Sequence, residues 1–232
     1  MTKTVLITGT SRGIGLEFAR QYTEAGWRVF AACRRPQAAH DLNALAAASG
    51  GSMTVHPLDV TDPSQLQALQ QAIGATPLDL LLNNAGIYGQ ASAVFGHTDA
   101  GKWLEAFRVN TIAPMKIMEA FVSNVAASDT RLMAALSSKM GSMADNHSGG
   151  SYVYRSSKAA LNAVMKSAAV DLRDRGVTVV ALHPGWVRTD MGGASAEIST
   201  AESVAHLRRI LDRVTAADSG SFFDVDGSIV PW

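Results

Sequence analysis

The chain has 232 residues, with 20 Lys+Arg balanced by 20 Asp+Glu, 47% hydrophobic residues and one cysteine. That length and hydrophobicity suit a single domain, 1–232, with a full core and exclude disorder, while zero net charge argues against a nucleic-acid partner. No apolar run reaches the ~18–20 residues that span a bilayer, and the lone Cys33 leaves no internal disulfide, which fits a reducing cytoplasm.

Met1-Thr2-Lys3-Thr4 leads into an apolar segment too short for the core of a secretory signal. That segment, Thr4–Thr8, is the first of seven predicted strands; the others are Arg28–Cys33, Met53–Pro57, Leu78–Leu82, Arg131–Ser137, Val177–His183 and Gly220–Val225. Most are near-continuous apolar runs, the pattern of strands covered by helices on both faces of a parallel sheet. Helical periodicity fills the intervals over Ile14–Ala25, Pro36–Ala48, Pro63–Ile73, Thr98–Ala127, Ser151–Arg175 and Ala201–Val214. Gly26 and Gly176 stand where helix C-termini need a left-handed residue, and Thr61-Asp62-Pro63 reads as a cap with proline in the first turn. The alternation predicts an α/β fold: a doubly wound, parallel, seven-stranded sheet of Rossmann type. Asp145–Ser151 and Trp186–Thr200 carry no periodicity, and both follow C-terminal strand ends, where open α/β sheets bind ligands.

Thr8-Gly9-Thr10-Ser11-Arg12-Gly13-Ile14-Gly15 joins the first strand to the first helix. Glycines there permit a tight turn and let backbone N–H groups approach a pyrophosphate at the helix N-terminus. The spacing is G-x-x-x-G-x-G rather than G-x-G-x-x-G, so a plain strand-to-helix turn is the competing reading. The second strand ends in Ala32-Cys33-Arg34-Arg35, without the carboxylate that commonly holds the ribose 2′-OH of NAD. Guanidinium groups bind a 2′-phosphate through charge-assisted bonds. Arg34 and Arg12 therefore predict an NADP(H) preference, against the alternative of solvated surface arginines.

Tyr154 and Lys158 are four residues apart and so share one helix face. A phenol titrates near ~10. A positive charge ~5 Å away, at an effective dielectric of ~20, favours the phenolate by roughly 3 kcal/mol, about two pKa units. That would bring the phenol into range for general acid–base work. Ser137 and Ser138 end the fifth strand, where a hydroxyl can polarise a substrate carbonyl or merely lead into a loop. Asn110 interrupts an apolar helical stretch, either capping a break or holding water or backbone at the site. The six histidines show no ligand spacing, so no metal is expected. Surplus apolar residues on the Thr98–Ala127 and Ser151–Arg175 helices point to an oligomer interface.

Together these elements, with Leu58-Asp59-Val60, Asn83-Asn84-Ala85-Gly86 and His183-Pro184-Gly185, resemble the short-chain dehydrogenase/reductase family of the compact single-domain kind, from Lys3 to Trp232. The segments Ser137–Ser142, Tyr152–Lys158, Pro184–Gly193 and Asp226–Trp232 are most similar to the C-factor and sniffer-type carbonyl reductases. The resemblance implies an NADPH-dependent carbonyl reductase in which Tyr154 is the general acid. It further implies that Lys158 lowers the phenol pKa and holds the nicotinamide ribose, that Ser138 polarises the carbonyl, and that Asn110 holds a water linking Lys158 to solvent. Cofactor contacts would come from Gly9, Ser11, Arg12, Ile14, Arg34, Asp59, Val60, Asn84, Ala85, Gly86, Tyr154, Lys158, Pro184, Gly185, Val187 and Thr189. A homodimer (or homotetramer) acting on a small-molecule carbonyl, with no membrane partner, completes the implied picture. The alternative is an NADP(H)-binding signalling protein in which turnover is incidental.

Two departures stand out. Tyr152 has no lysine four residues on, which leaves Tyr154 as the better candidate. Ser138 lies 16 residues before Tyr154, farther than the family's usual separation, so Ser142 is an alternative for the serine role.

Overall fold

The structure, a computed structural model, describes residues 2–91 and 93–232. Its seven strands are β1 (Thr4–Thr8), β2 (Arg28–Cys33), β3 (Met53–Pro57), β4 (Leu80–Asn83), β5 (Leu132–Leu136), β6 (Thr178–Leu182) and β7 (Phe222–Phe223). They form one parallel sheet in the order β3-β2-β1-β4-β5-β6-β7. The chain builds outward from β1 in one direction and then crosses to build in the other. The C-terminal ends beside β1 therefore open a crevice at the switch point.

The helices are α1 (Gly13–Glu24), α2 (His40–Ala48), α3 (Pro63–Ile73), α4 (Ala100–Phe107), α5 (Ala113–Ala126), α6 (Tyr152–Asp171) and α7 (Thr200–Leu211). Alternation along β1 sends Val5 and Ile7 to a layer with Phe18 and Tyr22 of α1 and Leu207 of α7. Leu6 goes to the opposite layer, with Phe121 of α5 and Met165 of α6. Each such fully buried side chain stabilises by about 1.5–3 kcal/mol relative to exposure. Gly26 at φ +78° and Gly176 at φ +67° occupy the left-handed positions expected of them. Asp62 caps α3 by accepting from Ser64 N at 2.8 Å, with Pro63 beginning the helix.

Most element ends shift by one to four residues, and three departures from the periodicity are larger. Pro36–Ala38 forms a separate 3-10 turn, because Ala39 at φ −95°, ψ 65° leaves helical geometry before α2 begins. The last strand shrinks to Phe222–Phe223, since Gly220 enters it at φ +83° and Asp224 N–H turns back to Ser228 O. The expected Thr98–Ala127 helix is divided by a π-helical turn, Arg108–Ile112, between α4 and α5. Asn110 is the reason: its Oδ1 accepts from Ile87 N at 2.9 Å and its Nδ2 donates to Ile87 O at 2.8 Å. Widening one turn lets the amide reach a neighbouring loop, as such bulges do at functional sites.

Candidate active site

The loop between β1 and α1 is tied down on both sides. Thr10 donates its N–H and its hydroxyl to Ala32 O in β2, each at 3.1 Å. Asn84, just past β4, donates through Nδ2 to Thr8 O at 2.7 Å and Gly9 O at 3.0 Å. Gly15 has no alternative, because a Cβ there would lie 2.2 Å from Gly9 O and 2.4 Å from Asn84 Nδ2. No side chain caps α1 and no acidic residue enters its first turn, which leaves the positive helix end for an anion.

This loop forms one wall of a crevice of about 920 Å³, near the top of the ~300–1,000 Å³ range of ligand sites. Of the expected cofactor residues, Gly9, Ser11, Arg12, Ile14, Arg34, Asp59, Val60, Asn84, Ala85, Gly86, Tyr154, Lys158, Pro184 and Thr189 line it. Gly185 and Val187 do not. Gly185 turns at φ +81° with Ile198 where its Cβ would be, and Val187 is buried and paired with Ile198, so both shape the loop from behind. Arg35 also lines the crevice, a member signalled only by its place beside Arg34. Arg12 reaches across to Asp190 on the opposite lip, at 3.1 Å and about three-quarters exposed. An exposed pair of this kind is worth about 0–1 kcal/mol, so a phosphate can displace it. Glycines that admit close approach, an uncapped helix end and three arginines together fit a dinucleotide carrying an extra phosphate.

At the inner end of the crevice, α6 presents Tyr154 and Lys158 one turn apart, with Lys158 Nζ 5.8 Å from the Tyr154 ring centre. Gly141 packs on the backbone of Lys158, where a Cβ would come within 2.8 Å, and this seats the turn after Ser138 on α6. Ser138 faces the phenol, and its hydrogen bond pulls the Tyr154 pKa down. Burial dominates nonetheless. It pushes the Tyr154 phenol up to about 12, with the nearby Tyr88 adding to the rise. It also pushes the Lys158 ammonium down to about 8. Without the cofactor, burial outweighs the Ser138 hydrogen bond at the phenol, and a lowering by Lys158 does not emerge among the causes of the shift. Lys158 donates to Leu136 O at 2.8 Å and is charged at neutral pH, while Tyr154 is a protonated acid.

Asn110 is buried behind this pair and holds backbone, since its amide engages both polar groups of Ile87 and also Ser157 Oγ at 2.9 Å. One lone pair remains on Oδ1, and a Cβ on Gly86 would lie 3.2 Å from Oδ1 and 3.5 Å from Lys158 Nζ, so the glycine lets its loop pass close to both groups. Ser137 lines the crevice and its hydroxyl donates to Asn162 Oδ1 at 2.5 Å. Ser142, the alternative serine, donates to Pro231 O at 2.6 Å, and Tyr152 pairs with Phe95 near the surface. Neither lines the crevice, nor does Ser138, whereas Ser137 does. His183 is pushed down to about 4 by burial, and no cluster of metal-ligating side chains occurs among the described residues.

Two participants escaped the sequence reading. Tyr88 stacks on Tyr154 with ring centres 4.6 Å apart and lies 2.9 Å from Ser151 Oγ. Asn162, at Lys158 plus four, shares the helix face of the Tyr–Lys pair and could have been found by the same spacing argument.

The family described as short chain dehydrogenase matches residues 3–199. C-signal of Myxococcus xanthus is 40% identical over 167 residues, which cover 72% of this chain and 100% of C-signal. Carbonyl reductase Sniffer of D. melanogaster superposes with a TM-score of 0.92 at 29% identity, covering 100% of both chains. NADPH-bound carbonyl reductase from chicken fatty liver superposes with a TM-score of 0.91 at 33% identity, covering 100% of this chain and 99% of its own.

Proposed function

The chain belongs to the short-chain dehydrogenase family, and from that premise we propose that it is an NADPH-dependent carbonyl reductase acting on ketones or aldehydes. The observation that carries this reading is a buried, protonated Tyr154 facing Ser138 at the inner end of a crevice lined by Arg12, Arg34 and a glycine loop. A neighbour of the same fold with NADPH bound supports the choice of cofactor.

Nicotinamide, when bound, supplies hydride from C4 to the carbonyl carbon. Tyr154 gives its phenolic proton to the carbonyl oxygen, and the Ser138 hydroxyl donates to the same oxygen as charge builds there. Lys158 keeps an ammonium beside the phenol and stabilises the phenolate that the transfer leaves. Asn110 fixes the Ile87 backbone and Ser157, and its free lone pair accepts from a water that returns the proton through Lys158. Arg34 and Arg12 would hold the 2′-phosphate, Asp59 and Val60 would border the adenine, and Asn84, Ala85 and Gly86 would line the cofactor. The whole of 1–232 serves as one dinucleotide-binding and catalytic domain. Exposed Leu104 of α4, Ile112 of the π-helical turn and Val170 of α6 favour a homodimer (or homotetramer), and the lone Cys33 suits the cytoplasm.

Tyr154→Phe tests the mechanism. Turnover is expected to fall at least about 100-fold, the scale of a lost general acid, while NADPH still quenches tryptophan fluorescence. Near-normal turnover in that variant overturns the assignment. A second reading, an NADP(H)-binding signalling protein whose turnover is incidental, draws on the 40% identity to C-signal. NADPH oxidation with a panel of diketones, quinones, aromatic aldehydes and ketosteroids separates the two, since a sensor oxidises none of them at a useful rate.

A further inference from the structure

The segment that follows Ser138 is held by residues some ninety positions away. Lys139 forms an ion pair with Asp224, whose carboxylate is buried. Three residues on, Ser142 donates to Pro231 O at 2.6 Å, and Met143 N and Ala144 N both donate to Trp232 O, at 2.8 and 3.1 Å. Trp232 is anchored in turn, its ring stacked on Phe222 of β7 with centres 5.6 Å apart. Val230 N–H bonds to Phe222 O at 2.7 Å, so the stretch from Phe222 to Trp232 folds back on the sheet as a hairpin. On its other side the same segment rests on α6, where Gly141 abuts the Lys158 backbone. Residues 139–144 are therefore clasped between the helix that carries Tyr154 and the hairpin that ends in Trp232.

We propose that Trp232 and Asp224 are positioning residues for the reduction: through Lys139 and the Ser142–Ala144 backbone they set the distance of the Ser138 hydroxyl from the Tyr154 phenol. The proposal rests on the role given to Ser138 above. Without the clasp the turn keeps its own bonds, from Met140 N to Ser138 Oγ at 3.2 Å and from Gly141 N to Ser138 O at 2.7 Å, and its α6 contacts, such as Asn162 Nδ2 to Gly141 O at 3.4 Å. The long separation between Ser138 and Tyr154 makes such an anchor necessary, because the loop through Ser151 has little core of its own.

A double-mutant cycle tests it. In the wild-type background, Trp232→Ala and Lys139→Met should each lower kcat about tenfold, the scale of a sub-ångström misplacement. KM for NADPH should stay within about twofold, because the clasp lies away from the phosphate loop. In a Ser138→Ala background the same substitutions should cost less than about twofold, and Trp232→Phe, which keeps the stack, should restore kcat. Equal losses in both backgrounds, or cofactor binding that falls in step with kcat, overturn the clasp. Full activity of Ser138→Ala alone overturns the role of Ser138 itself and with it the proposal. Should Trp232→Ala lack a cooperative thermal transition, Lys139→Met and Trp232→Phe carry the cycle by themselves.

Discussion

Lys158→Met should make the protein more stable while silencing it. Lys158 is 4% exposed and pairs with no carboxylate among the described residues; burial alone pushes its pKa from 10.5 down to about 8. At 1.36 kcal/mol per unit, keeping that ammonium buried at neutral pH costs about 3 kcal/mol. Methionine fills nearly the same volume, but it leaves Leu136 O without the donor that now lies 2.8 Å away, a loss of about 1 kcal/mol. The net gain at pH 7 is about 2 kcal/mol, or about 4–8 °C in Tm for a chain of this size. The sign of the pH dependence follows from proton counting. Between pH 8 and 10.5 the unfolded chain holds a proton on Lys158 that the folded chain does not, so wild-type stability rises with pH across that window. The variant lacks this slope, and its advantage should nearly vanish by pH 10. Urea titrations of both proteins without cofactor at pH 7, 8, 9 and 10 measure it. A variant that is less stable at pH 7, or a gap that does not change with pH, refutes the argument that the ammonium is held against its desolvation.

Two further substitutions probe the crevice. Arg34→Asp should shift the ratio of kcat/KM from NADPH towards NADH by at least about tenfold, because a carboxylate repels a 2′-phosphate and accepts from a 2′-OH; an unchanged ratio measured with both cofactors removes Arg34 from the clamp. Gly15→Ala places a Cβ 2.2 Å from Gly9 O, so the phosphate loop must move. Melting and NADPH titration should show a loss of about 1–3 kcal/mol in stability together with cofactor binding weakened at least about tenfold, and normal binding contradicts the close-approach reading.

The strands were legible because parallel strands buried on both faces leave short β-branched apolar runs such as Val5-Leu6-Ile7 and Val179-Val180-Ala181, regularly alternating with helix-period segments. The division of the long helix at Asn110 was visible only as a poor helix former in an apolar stretch. Its cause, a pair of bonds to Ile87, joins residues 23 apart and has no local signature. The spacing of Tyr154 and Lys158 placed them on one helix face, since geometry on one helix follows from chain position. Their proton affinities did not follow, because desolvation depends on the sheet, the Ser138 turn and Tyr88 closing over them. Spacing to Tyr154 alone favoured Ser142 over Ser138, and only a bond to Pro231, 89 residues distant, shows that the Ser142 hydroxyl is engaged elsewhere. Gly185 and Val187 sat in a ligand-binding loop by position, yet their packing on Ile198 turns them out of the crevice.

The wide turn at Arg108–Ile112 also works as a phase shifter between two helices. In a straight helix every residue advances the azimuth by about 100°, so the orientation of α4 against α6 would dictate which side of α5 meets the sheet. The added residue breaks that dependence. Ala106 can face Val153 of α6 while Ile117, Phe121 and Val125 face the strands. Deleting one residue from this turn would rotate one helix by roughly a third of a revolution relative to the other. The amide of Asn110 would swing off Ile87, and the floor beneath the reactive lysine would go with it.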